Sequence, residues 1–123
     1  MIFKDNFYSI ESHTSEGNEH LFAIRIDGKH RVFEGHFPGN PVTPGVVQLE
    51  IIKELLGELI QVPLRMQTMA NCKFLAILNP ETDAAVTVAL KVIEEDVQHW
   101  KVTASIQNEA NTYLKMGASY QSM

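Results

Sequence analysis

Two side chains in the first half of this chain are suited to moving protons, His36 and Glu50, fourteen residues apart. An imidazole takes or gives a proton near neutral pH more readily than any other side chain. His36 lies between Gly35 and Phe37-Pro38, where the backbone is constrained and one wall is apolar. By residue type and position alone, a purely structural loop histidine is the simpler reading. Glu50 belongs to the polar stripe of a helix, with Lys53, Glu54, Gly57 and Glu58, and a solvated carboxylate is the simple reading there too. One turn earlier, however, stand Val46 and Val47, so that end of the stripe is greasy. A partly desolvated carboxylate suits proton donation. Gly45 comes second in the helix by this reading. The first N–H groups of a helix lack internal partners and carry partial positive charge. With no side chain in the way, such a donor could stabilise an oxygen on which negative charge develops. Equally, Gly45 could do no more than start the helix tightly.

These residues share one stretch, Phe33-Glu34-Gly35-His36-Phe37-Pro38-Gly39-Asn40-Pro41-Val42-Thr43-Pro44-Gly45-Val46-Val47-Gln48-Leu49-Glu50. Its G-H-F-P-G-x-P-V-x-P-G-V run, with a glutamate fourteen residues after the histidine, resembles the signature of the beta-hydroxyacyl-[acyl carrier protein] dehydratases of type II fatty acid synthesis. The resemblance implies an α+β hot-dog fold, a long helix wrapped by a curved antiparallel sheet. It also implies dehydration of a 3-hydroxyacyl thioester, carried on acyl carrier protein, to the trans-2-enoyl product. His36 would be the base and Glu50 the acid, with Gly45, Val46, Phe37 and Glu54 against the substrate. No metal or redox cofactor is implied, the substrate riding on the carrier's phosphopantetheine. The chain would form a homodimer or a higher oligomer, with His36 of one subunit facing Glu50 of the other. One departure stands out: the family's glutamine four residues after the acid is here Glu54. Two carboxylates at i and i+4 repel modestly. The family's proline-glycine-aspartate turn is also replaced, by Asn79-Pro80-Glu81-Thr82-Asp83. A hot-dog thioesterase, and a non-catalytic subunit of a heteromeric dehydratase, are the alternative functions.

The elements that must hold this stretch can be read from periodicity. Thr43 is a candidate N-cap, and Pro44 fits the first helical position, where a missing N–H costs nothing. Apolar residues then recur at Val47, Leu49, Ile51, Ile52, Leu55, Leu56, Leu59 and Ile60, until Pro63 stops the helix. That arc covers half the helix or slightly more, so the helix is expected to be wrapped on most sides. Before it, Phe7 to Glu11 and Leu21 to Ile26 read as strands around the turn Ser15-Glu16-Gly17-Asn18. After it come strand signals at Leu64 to Leu78, Ala85 to Glu94, Gln98 to Gln107 and Thr112 to Gln121. Trp100, Val102, Ala104 and Ile106 share one face, as do Leu114, Met116, Ala118 and Tyr120. Strands, one helix, then antiparallel strands make an α+β protein.

Length and composition bound the rest. At 123 residues and 45% apolar, one domain over 1–123 with its own core is expected, not a disordered chain. Cys72 is the single cysteine, so no internal disulfide and no cysteine-rich zinc site is possible. The five histidines, at 13, 20, 30, 36 and 99, show no metal-binding spacing. His30, Arg31 and His99 read as surface residues, and Met66 and Met69 as core or tunnel lining. A net charge of −5 argues against nucleic acid. No run approaches the ~18 apolar residues of a membrane span, and the N-terminus lacks a signal peptide's layout. A cytoplasmic setting follows by default. An acidic carrier protein would need a local basic patch, for which Arg31, Arg65, Lys73 and Lys115 are candidates.

Overall fold

The computed structural model describes residues 2–33 and 41–123. The chain runs through β1 (Tyr8–Glu16), β2 (Glu19–Ile26), a 3-10 turn (Arg31–Phe33), α1 (Gly45–Ile60), β3 (Leu64–Phe74), β4 (Ala85–Asp96), β5 (His99–Gln107) and β6 (Thr112–Ser122). All six strands join one sheet in the order β1-β2-β4-β5-β6-β3. Every pairing is antiparallel. The strands extend the sequence reading. β1 continues past Glu11 to Glu16, because Gly17 takes φ 62° and closes a two-residue turn with Asn18. β3 ends at Phe74, four residues before the predicted limit.

Alternation decides which face is buried. Trp100, Val102, Ala104 and Ile106 on β5, and Leu114, Met116, Ala118 and Tyr120 on β6, all point inward. Phe22, Ile24 and Ile26 on β2 and Val86, Val88 and Leu90 on β4 extend the same surface. Against it lie Val47, Ile51, Ile52, Leu55 and Leu56 of α1. Removing each such aliphatic side chain from water contributes about 1.5–3 kcal/mol. Irregular registers at Ile10/Ser12, Met66/Thr68, Met69/Asn71 and Glu94/Asp96 give the local bends a curled sheet requires.

Two details of α1 differ from expectation. Pro44 is the N-cap and the helix begins at Gly45, with no side-chain cap. Thr43 does not cap: its backbone N–H donates to Leu78 O at 2.9 Å, and its hydroxyl is buried without a partner among the described residues. The residue is tied to the loop after β3 through its N–H and to α1 through its carbonyl, which accepts from Gln48 Nε2 at 3.1 Å. At the other end Gln61 adopts φ 65° and donates its N–H to Gly57 O, and Pro63 prevents continuation. The polar stripe is also not uniformly solvated, since Gln48 and Glu54 are both buried.

Candidate functional site

His36 and Phe37 fall outside the described residues. The helix half of the expected site is described in full. At the start of α1, Val47 N and Gln48 N both donate to Pro44 O, whereas the N–H groups of Gly45 and Val46 have no acceptor among the described residues. Gly45 is also a place of close approach. A Cβ added there would stand 2.6 Å from the ring tip of Phe74, so only glycine lets that ring lie over the helix start. Phe74 itself is half exposed. Val46 projects outward, 76% exposed, with no described neighbour to fix its role.

Glu50 sits on the second turn with its side chain 24% exposed. Its carboxylate accepts no hydrogen bond from the described residues; the nearest cation, Lys53 Nζ, is 3.8 Å away, too long for one. A carboxylate held this loosely can turn toward a ligand.

Glu54 differs in every respect. It is 5% exposed, and Oε2 accepts from Ile2 N at 2.9 Å and Phe3 N at 3.0 Å. Oε1 accepts from Lys4 N at 2.9 Å and from the Tyr8 hydroxyl at 3.1 Å. Lys4 Nζ adds an ion pair to Glu58 at 2.5 Å. Glu54 therefore fastens the N-terminal segment to α1, and both its oxygens are committed. The substrate contact expected of it has no free oxygen to work with. The two carboxylates at i and i+4 have different surroundings: Glu54 faces the N-terminal segment, and Glu50 lies beside Lys53. Burial and the adjacent Glu54 charge push the Tyr8 phenol far above its ordinary range, so it stays a donor.

Other expected groups disperse. Lys73 and Lys115 are direct cross-strand partners, but Arg65 lies eight residues along β3, roughly 26 Å away. Arg31 is off the sheet in the 3-10 turn. His30 is half buried, with edge-on contacts to Phe3 and Phe7; Nδ1 accepts from Val32 N, and Nε2 faces Asn6 Oδ1 at 3.2 Å. Met66 packs on the core and Met69 is partly exposed. Among the described residues, no group of three or more His, Cys, Asp or Glu is placed to hold a metal ion. None of their helices is long and apolar enough to cross a membrane.

Three features escaped the sequence reading. Phe74 over Gly45 is one. A second is the pair His13 Nε2···His20 Nδ1 at 3.2 Å across β1 and β2, with His13 stacked on Phe22 at 4.2 Å. The third is Tyr120, fully buried, with its hydroxyl unpartnered among the described residues. The histidine pair is a diagonal one, since His13 lies opposite Phe22 and His20 opposite Ser15 across the hairpin, and sequence spacing does not single it out.

One helix in a six-stranded antiparallel sheet is the hot-dog architecture, and solved structures agree. An uncharacterized protein from Erwinia carotovora superposes with TM-score 0.66 at 19% identity, over 92% of each chain. The dehydratase heterocomplex ApeI:P of Xenorhabdus doucetiae gives 0.67 at 19% identity, over 91% of this chain and 96% of that one. A Staphylococcus aureus thioesterase gives 0.62 at 14%, over 93% and 91%. The family is decided by sequence. The ApeI-like profile, described as ApeI dehydratase, matches residues 12–114, and the chain belongs to that family. It is also 28% identical over 94 residues to the 3-hydroxyacyl-[acyl-carrier-protein] dehydratase FabZ of Rickettsia conorii, covering 70% of this chain and 65% of that protein. The FabZ of Novosphingobium aromaticivorans is 40% identical over 43 residues, 34% of this chain and 27% of its own length. The chain thus spans between about a quarter and two thirds of these curated relatives.

Proposed function

We propose that this chain dehydrates a 3-hydroxyacyl thioester on acyl carrier protein to the trans-2-enoyl thioester. The observation that carries the reading is the start of α1, where unspent N–H groups at Gly45 and Val46 lie one and a half turns from the loosely held carboxyl of Glu50. Neutral His36 removes the C2 proton while the Gly45 N–H holds the thioester oxygen on which charge develops. Protonated Glu50 gives its proton to the C3 hydroxyl, which leaves as water. The C2–H electrons become the new double bond, and the proton on His36 returns to Glu50 to reset the site. Only a proton and a hydroxyl move, so the chemistry asks for no metal or redox cofactor. A cytoplasmic setting shared with the carrier goes with this reading.

A second copy of the chain completes the proposal. β3 is an edge strand, and the apolar Met69, Phe74, Leu75 and Ile77 on and after it are exposed, Ile77 by 69%. Such an edge needs covering. A two-fold partner laid along β3 would cover it and set His36 of one subunit against Glu50 of the other. The carrier would approach over Lys73 and Lys115. Likeness to the ApeI:P heterocomplex supports one competing reading, in which the second copy is replaced by a different subunit.

The test is to supply the purified chain alone with 3-hydroxybutyryl thioester on carrier protein. The expected outcome is gain of enoyl-thioester absorbance with no thiol release. Thiol release without enoyl product would make it a thioesterase, and silence relieved only by a second gene product would make it a partner subunit.

A further inference from the structure

We propose that His13 and His20 form a two-imidazole chelate for a divalent transition-metal ion of the zinc class, which clips the edge strand β1 to β2. The proposal is independent of the dehydration reading. His13 Nε2 and His20 Nδ1 stand 3.2 Å apart, with ring centroids 5.5 Å apart. Zinc–imidazole bonds are about 2.0–2.1 Å long, so two adjacent nitrogens on one tetrahedral or octahedral ion lie roughly 2.9–3.4 Å from each other. The pair already has the bite of a chelate. The backbone holds it there: His13 lies opposite Phe22 and His20 opposite Ser15 in the antiparallel ladder, and the turn through Gly17, at φ 62°, closes the hairpin. Phe22 stacks flat on the His13 ring, with centroids 4.2 Å apart and planes 7° apart, which fixes the plane of that ring.

Without metal, the two nitrogens share one hydrogen bond, so one of them carries a proton. Metal binding replaces that bond. The proton leaves the gap, and the donating ring takes one up at its other nitrogen. Both rings stay neutral, no net proton is released, and two nitrogen–metal bonds form where one N–H···N bond is broken. A small turn about χ2, a soft torsion in histidine, points both lone pairs at one ion. Neutral imidazole suits zinc, copper and nickel, whereas magnesium and calcium prefer oxygen. Glu16 and Glu19 fall on the opposite sheet face by alternation, and among the described residues no third His, Cys, Asp or Glu is placed to join the pair. Water fills the remaining positions, so the ion is exchangeable. Its effect is local. Ser12 to Glu16 is exposed, and β1 has only β2 beside it in the sheet. A metal bridge adds a side-chain link to a ladder of backbone hydrogen bonds at the free end of the hairpin.

The experiment titrates chelator-treated protein at neutral pH with zinc chloride and, separately, with magnesium chloride, read by calorimetry and by imidazole 1H–15N NMR. Zinc should bind and move the ring signals of His13 and His20 while those of His30 and His99 stay in place. Magnesium should do neither. His13→Gln and His20→Gln should each weaken zinc binding roughly 10-fold or more, at least what loss of an outer-shell partner costs a metal site. Amide hydrogen exchange in the β1–β2 hairpin should slow with zinc in the unmodified protein and in neither variant. A chain that takes up no zinc overturns the proposal. So does zinc binding of unchanged affinity in either variant, or zinc-saturated protein whose His13 and His20 signals keep their metal-free positions. The NMR arm uses only the unmodified protein, and so decides the matter even where a variant folds poorly.

Discussion

Glu50 and Glu54 are the same residue type one turn apart, yet among the described residues only Glu54 has its carboxylate held by hydrogen bonds. Glu54 satisfies three consecutive backbone N–H groups and a buried phenol, which is a structural task. Glu54→Ala would strand all four donors, and the expected loss is about 3 kcal/mol or more. Glu54→Gln keeps one acceptor oxygen and should lose about half of that. Chemical denaturation of both variants checks the order. A Glu54→Ala protein as stable as the parent would show that the N-terminal segment is not fastened in this way. The motif singled out Glu50 in the sequence by its spacing from His36, and the structure places it on the second turn of α1. Glu54 was not legible: its partners lie some fifty residues earlier in the chain, and helical periodicity reports only which side of the helix a residue occupies. Alternation put Tyr120 on one face with Leu114, Met116 and Ala118, and that face is the buried one; that its hydroxyl has no partner among the described residues depends on three-dimensional neighbours.

At the scale of elements, alternation on β5 and β6 and the stop at Pro63 were legible because each depends on local spacing. The length of β1 was not, since Ser12 to Glu16 is polar and forms a strand only by pairing with β2. That pairing brings His13 and His20 together, one ring donating to the other, which requires an unprotonated nitrogen in the pair. Burial, and then the neighbouring His13, lower the His20 value below 6.5. The unfolded chain therefore binds more protons than the folded one in that range, so the contribution is fully present above pH 6.5 and is lost as pH falls below it. Hydrogen exchange of the β1–β2 hairpin should accelerate on acidification from pH 7 to 5. His20→Gln should flatten that dependence. Equal pH dependence in both proteins would contradict it.

For the whole molecule, the hot-dog architecture was legible from element order together with the motif, because one amphipathic helix between strands has few ways to bury its face. The sheet order was not: β3 reaches β6, and the edge it leaves, through pairings of long range in sequence. That edge, the exposed apolar side chains beside it and the loosely held Glu50 support the proposal of a site shared between two copies of the chain. His36→Ala and Glu50→Gln, each inactive alone, test this directly when refolded together in equal amounts. Random pairing makes about half the dimers mixed, each with one site bearing both residues and one bearing neither. The account predicts recovery of about a quarter of the parent activity, by the same two-fold symmetry. If both variants fold and pair but the mixture stays inactive, His36 and Glu50 do not meet across a dimer, and the account is wrong.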